Sequence, residues 1–182
     1  MKVLFVGGAR SGKSTLAARK AAECCGDVRC IVTASATDAE MAARIEAHRR
    51  ERPDHWRVRE APIALAGALR EEADPQGVLL VDCLTLWLSN CLWSPASVSG
   101  APQGEMTADL ERWRRERDAF IEALSSLACP AILVSNEVGG GIVPASAAAR
   151  MFRDEQGWLN QAVAAACDEV FLVTAGLPLR LK

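Results

Sequence analysis

Val3-Leu4-Phe5-Val6-Gly7-Gly8-Ala9-Arg10-Ser11-Gly12-Lys13-Ser14 is the stretch on which the fold turns. Val3 to Val6 is a short β-rich run, and the Ala- and Leu-rich segment from Ser14 to Cys25 reads as a helix. Between them, Gly7 to Ser14 matches G-x-x-x-x-G-K-[ST] in full, with a strand before it and a helix after. Glycines let backbone N–H groups turn inward around phosphate oxygens, and the following helix presents its positive end to the same anion. Lys13 can reach the outer phosphates and Ser14 can ligate Mg²⁺. The residues expected to seat a nucleoside triphosphate are therefore Gly7, Gly8, Ala9, Arg10, Ser11, Gly12, Lys13 and Ser14, with Lys13 also catalytic.

Outward from this loop, strands and helices alternate. Val28 to Thr33 is a second strand. Thr37-Asp38-Ala39-Glu40 is a capping box that opens a helix through Arg52, which Pro53 stops. Ile63 to Glu72 reads as a helix, and Val78-Leu79-Leu80-Val81 as an uninterrupted apolar strand ending in Asp82. Ser94 to Gly104 is a Ser/Pro/Gly loop. Met106, Leu110, Trp113, Phe120, Leu124 and Leu127 then form one helical stripe, interrupted by Arg117. That stripe serves equally as the chain's own core or as a face between copies. Ala131 to Val134 is a strand, followed by the loop Ser135 to Gly141. Ala145–Phe152 and Leu159–Cys167 read as two helices, Val170–Thr174 as a strand and Pro178–Leu181 as a short edge strand. Continuous apolar strands between helices point to a parallel sheet covered on both faces. The expected class is α/β, a P-loop NTPase-like, mostly parallel sheet with helices on both faces, in one domain over 1–182.

Composition removes several alternatives. Of 182 residues, 50% are apolar and 24% charged, which excludes a disordered or fibrous chain. The net charge of −2 argues against a broad nucleic-acid footprint, and the basic run His48-Arg49-Arg50-Glu51-Arg52 is short and contains an acid. Seven cysteines without a C-x-x-C spacing read as reduced thiols of a cytoplasmic protein. Met1 to Val6 runs straight into glycines, with no signal-peptide apolar region of adequate length. The apolar part of the uncharged segment, Leu84 to Trp93, is too short to span a bilayer.

Further residues carry chemistry. Asp82 closes an apolar strand, as a Walker B carboxylate that holds Mg²⁺ does. On a helix, Met41, Arg44, Ile45, His48 and Arg52 fall within a wedge of about 100°. Arginines one turn to either side disfavour imidazolium and leave His48 neutral, which is the nucleophilic form. The plainer alternative is a solvated histidine on a basic helix. His55, beside Trp56, reads as a packing residue. Glu137 is a base, a Mg²⁺ contact or a turn residue, and Arg150 and Arg153 read better as salt-bridge partners than as phosphate clamps.

Together the motifs resemble one family. They are GGARSGKS at Gly7–Ser14, EMAARI-x-x-H-x-x-x-RP-x-x-W at Glu40–Trp56, and VDCLTLWLSN at Val81–Asn90. VSNEVG-x-GIVP at Val134–Pro144, R-x-FRD-x-x-G-x-x-NQ at Arg150–Gln161 and the final AGLPL-x-LK complete the set. The chain resembles the bifunctional adenosylcobinamide kinase / adenosylcobinamide-phosphate guanylyltransferases of cobalamin biosynthesis over nearly its whole length. The resemblance implies phosphorylation of adenosylcobinamide with ATP or GTP, then transfer of GMP from GTP to that phosphate. It implies that His48 is the guanylylated histidine. It also implies nucleotide contacts at Thr33, Ala34, Ser35, Arg49, Arg50, Glu51, Arg52, Glu60 and Asp82, and a homo-oligomer, a trimer. Mg²⁺ would be held by Ser14 and Asp82, with either Asp82 or Glu137 as the kinase base. Two rivals stand beside this reading: a single-activity small-molecule kinase with a structural His48, and a non-enzymatic GTP-gated interaction module.

Overall fold

The computed structural model describes residues 1–24, 26–35, 39–50, 52–93 and 108–182. Its elements run β1 (Lys2–Gly7), α1 (Lys13–Glu23), β2 (Asp27–Val32), α2 (Ala39–Arg50), β3 (Arg57–Glu60), α3 (Leu65–Glu72) and β4 (Gly77–Asp82). There follow α4 (Leu84–Trp93), α5 (Leu110–Ser126), β5 (Ala131–Asn136), α6 (Ala147–Ala166), β6 (Glu169–Thr174) and β7 (Leu177–Arg180). All seven strands join one sheet in the order β3-β2-β4-β5-β1-β6-β7. The first six are parallel, and β7 pairs antiparallel with β6.

The apolar runs explain the layering. Side chains alternate across a strand, so a strand buried on both faces is apolar throughout. Val3 and Phe5, Val78 and Leu80, Ile132 and Val134 face one layer, where Ala17 and Ala21 of α1 cover them. Leu4 and Val6, Leu79 and Val81, Ala131 and Leu133 face the other, against α3, α4, α5 and α6. The centre of that second layer is aromatic. Trp87 meets Trp113 edge-on at 5.1 Å and Phe120 at 4.9 Å. Each indole N–H has a partner: Trp87 Nε1 donates to the Ile63 carbonyl and Trp113 Nε1 to Glu155 Oε2, both at 2.7 Å.

Several expectations change here. The α5 stripe is the chain's own core: Trp113, Phe120 and Leu124 are fully buried, while Arg117 turns aside to Asp118. Met106 and the Ser94–Gly104 loop lie outside the described residues. Leu84–Trp93, noted only as apolar, is a helix, because its residues pack under α5. Arg57–Glu60 is a strand that periodicity missed, since an edge strand with one apolar residue, half-exposed Val58, carries almost no alternation. The two helices expected between Ala145 and Cys167 are one, which passes straight through Gly157. A Cβ there would meet nothing within 4 Å, and burial of Gln156 and Leu159 on either side carries the helix across. Helix α2 ends at Arg50, not Arg52, because the residue before Pro53 is pushed out of helical geometry. The expected capping residues Thr37 and Asp38 lie outside the described residues.

Candidate active site

Every strand of the parallel set ends on the same edge of the sheet, and the phosphate-loop residues collect there. Gly7 is demanded by crowding: a Cβ would sit 2.4 Å from the Val173 carbonyl oxygen and 2.7 Å from Ser11 Oγ. Gly12 has φ +93°, a left-handed geometry that lets the chain turn directly into α1. Arg10, at φ +58°, also holds that region, the kind of local strain found at functional sites. Lys13 folds back over the loop, its Nζ donating to the Gly8 carbonyl at 3.0 Å. Burial pushes the Lys13 ammonium below its ordinary range, opposed by the Asp82 carboxylate among others. Ser14 Oγ donates to Asp82 Oδ1 at 3.4 Å. Ser11 Oγ is buried without a hydrogen-bond partner among the described residues, a spare donor inside the loop.

Strand register brings the neighbouring positions to the same edge. Val32 lies opposite both Asp82 and Glu60, and Gly7 opposite Asn136. β5 separates β1 from β4 in the sheet, and Ser14 at the start of α1 nonetheless reaches Asp82. Thr33 is fully buried and locks β2 to β4. Its Oγ1 donates to the Cys83 carbonyl at 2.6 Å and accepts the Cys83 N–H at 3.1 Å, and Asn90 Nδ2 donates to the Thr33 carbonyl at 2.8 Å. Ala34 is half-buried, and Ser35 and Glu60 are exposed at this edge. Arg52, freed from the helix, reaches Asp82 Oδ2 at 3.4 Å, so it does not flank His48 on a helical wedge.

Arg49 is exposed, and Arg50 pairs with Glu46 one turn back at 3.0 Å. Glu51 lies outside the described residues. His48 sits on α2, and its side chain, like that of Arg44, is outside the described set. His55 is exposed, and its neighbour Trp56 does the packing. Glu137 is a turn residue whose carboxylate accepts the Gly139 N–H at 2.5 Å. Arg150 donates to the carbonyls of Pro144 and Ala145 and forms no ion pair among the described residues, unlike the salt bridge expected of it.

Gly176, read only as part of the final motif, makes a contact that sequence reasoning missed. Its N–H donates to the Ser11 carbonyl at 2.8 Å, so the β6–β7 turn buttresses the phosphate loop. A glycine between two short strands signals a turn, but nothing in it signals where the turn docks. Two cysteines near this edge are poor nucleophiles. Burial pushes Cys83 up to about 11 and Cys30 up to about 12, leaving neutral thiols at pH 7. For a metal, Ser14 and Asp82 offer two oxygen donors, and no cluster of three or more His, Cys, Asp or Glu exists among the described residues. A donor pair of this kind suits Mg²⁺, which keeps water and phosphate oxygens as its remaining ligands.

A glycine turn, a buried lysine folded over it, and a serine facing a strand-end aspartate define a P-loop nucleotide-binding protein. Solved structures agree on the fold. A prototypical ATPase from the type III secretion system of pathogenic bacteria superposes with a TM-score of 0.55 at 13% identity, over 98% of this chain and 56% of its own. The assembled ATPase EscN of enteropathogenic Escherichia coli gives 0.54 at 12%, over 96% and 43%. The chain belongs to the cobinamide kinase / cobinamide phosphate guanyltransferase family, a family of transferases, whose model matches residues 3–181. It is 49% identical to the bifunctional adenosylcobalamin biosynthesis protein CobP of Pseudomonas aeruginosa, over all of this chain and 98% of that protein. It is 40% identical to the bifunctional adenosylcobalamin biosynthesis protein CobU of Escherichia coli K12, over the whole of both. Among the described residues, no helix is long and apolar enough to cross a membrane.

Proposed function

We propose that this chain carries out both reactions of its family: phosphorylation of adenosylcobinamide with ATP or GTP, and transfer of GMP from GTP to the resulting phosphate. The observation that carries the reading is the convergence of Lys13, Ser14 and Asp82 on one glycine turn, in a chain matched by the family over residues 3–181. Phosphoryl transfer is mostly positioning and charge neutralisation. The loop N–H groups and Lys13 supply both. Ser14 and Asp82 would hold Mg²⁺, whose chemistry is to neutralise phosphate charge.

Nucleotidyl transfer uses His48 as nucleophile. An imidazole nitrogen forms a bond to the α-phosphorus of GTP as the bond to pyrophosphate breaks. A phosphate oxygen of adenosylcobinamide phosphate then displaces the histidine, and the phosphorus–nitrogen bond breaks. Support comes from Arg52, four residues on, whose pair with Asp82 ties the end of α2 to the triphosphate site. The same reading takes the protein as a cytoplasmic homo-oligomer, a trimer. Ile142 (97% exposed) and Val143 (66%) offer such an assembly an apolar surface, and the buried free thiols of Cys30, Cys91, Cys129 and Cys167 suit a reducing compartment.

The test is GTP labelled at the α-phosphorus, with Mg²⁺ and cobinamide, followed by mass analysis of the corrinoid. The expected results are acid-labile label on the protein, lost in His48→Ala, and a corrinoid carrying GDP. Label from the γ position alone would reduce the protein to a kinase. Binding without any corrinoid product would leave only a nucleotide-gated module.

A further inference from the structure

Two motifs, Val134–Pro144 and Arg150–Gln161, have had no part in the triphosphate site so far, and the fold joins them at one amide. Asn160 of α6 donates through Nδ2 to the Asn136 carbonyl at 3.0 Å. A carbonyl only accepts, so the orientation of this amide is determined, and Oδ1 is left to accept. It accepts from Ser135 Oγ at 2.6 Å and from Gln156 Nε2 at 3.0 Å. Gln156 Nε2 also donates to Ser135 Oγ at 3.0 Å, and both Ser135 and Gln156 are fully buried. The Asn136 carbonyl belongs to the same peptide group as the Glu137 N–H, and that N–H donates to the carbonyl of Gly7 at 3.0 Å. The other side of the residue is pinned as well, since the Asn136 N–H donates to Thr85 Oγ1 at 2.8 Å.

A single planar peptide therefore lies between Asn160 and the first glycine of the phosphate loop. A peptide plane moves as a unit, so its rotation would shift the Gly7 carbonyl, in a loop with no room at Gly7 for even a methyl group. We infer that Asn160 is a positioning residue for triphosphate binding, acting through the Asn136–Glu137 peptide on Gly7. This rests on the proposal that the triphosphate binds at Gly7–Ser14. It does not depend on what is phosphorylated.

The side chain must donate on one atom and accept on the other, which an ionised carboxylate cannot do and a protonated one can. In Asn160→Asp, Ser135 and Gln156 would still donate to one carboxyl oxygen, but the other would face the Asn136 carbonyl. Only a protonated carboxyl turns that contact into a hydrogen bond, and partial burial adds to the preference for the neutral form. The experiment is calorimetric titration of Asn160→Asp with Mg-GTP and Mg-ATP at pH 8 and pH 6. Val163→Ala, a core truncation on the same helix, is the stability control. Expected is an affinity loss of about tenfold at pH 8, relative to wild type at the same pH, closing to within about threefold at pH 6. Val163→Ala is expected to lower Tm yet bind within about twofold of wild type at both pH values. A loss that is equal at the two pH values, or shared by Val163→Ala, or absent from Asn160→Asp, overturns the inference. Wild type that binds triphosphate but modifies no corrinoid would sink the proposed function and leave this inference standing.

Discussion

Lys13 shows how one residue serves two opposed demands. Burial disfavours its charge in the nucleotide-free protein, so the folded state holds this proton less tightly than the unfolded chain does. The sign follows: the penalty is fully present at neutral pH and fades as pH rises toward the ordinary lysine range near 10.5. Lys13→Met should raise the Tm of the nucleotide-free protein at pH 7 by about 2 °C. It should lower kcat for phosphoryl transfer by about a hundred- to a thousandfold. With saturating Mg-GTP the order of Tm values should reverse, which thermal melts with and without nucleotide check directly. Gly7 is constrained by contact instead of charge. In Gly7→Ala the new methyl group meets a backbone carbonyl, a strain of about 1–3 kcal/mol that should lower Tm by about 2–12 °C in a melt.

Among elements, α2 and the β6–β7 turn matter because each is tied to the phosphate loop by a few polar contacts. The Arg52–Asp82 pair is partly buried, with side chains 13% and 17% exposed, so it is screened less than a surface pair. Arg52→Met should cut the rate of protein labelling from α-labelled GTP by about tenfold while changing γ-phosphoryl transfer by less than about threefold. Equal loss in both assays would mean that Arg52 serves the common triphosphate site and does not hold α2. The turn at Gly176 has φ +78°, so Gly176→Val is strained whatever space surrounds it. Its N–H bond to the Ser11 carbonyl should weaken, and nucleotide affinity measured by titration should fall by about tenfold.

At the scale of the molecule, β1 is held inside the sheet between β5 and β6, and its first residue is pinned by a carboxylate. The Lys2 N–H donates to Asp168 Oδ2 at 2.6 Å, and this bond holds the Asp168 carboxyl below the usual carboxylate range. A depressed folded-state pKa contributes stability that is present above the ordinary value of 3.8 and is lost as pH falls through the lowered one. Asp168→Asn should therefore melt below wild type at pH 7, and the two melting curves should converge in acid below pH 3.8. A gap that persists at low pH would assign the effect to packing. The sheet order also explains why the active edge draws on residues as distant in sequence as Gly7, Thr33, Asp82 and Asn136. A parallel sheet sends every strand end to one side, where crossover connections leave it.

Much of this was legible from local pattern alone. Gly7–Ser14 carries its own geometry, because glycine spacing, lysine and serine act within one turn of chain. Apolar runs such as Val78–Val81 disclose strands buried on both faces. Less was legible wherever a residue's meaning lies in a distant partner. Arg52 looks helical in sequence and is an ion-pair partner of Asp82 in space. Glu137 reads in sequence as a base, a Mg²⁺ contact or a turn residue, and only the fold shows it closing its own turn on Gly139. Gly176 and Asn160 look like a turn and a helix residue, and they brace the phosphate loop from opposite sides. Short-range sterics and periodicity are written into neighbouring residues, whereas hydrogen bonds across 24 or 165 positions exist only once the sheet has brought their ends together.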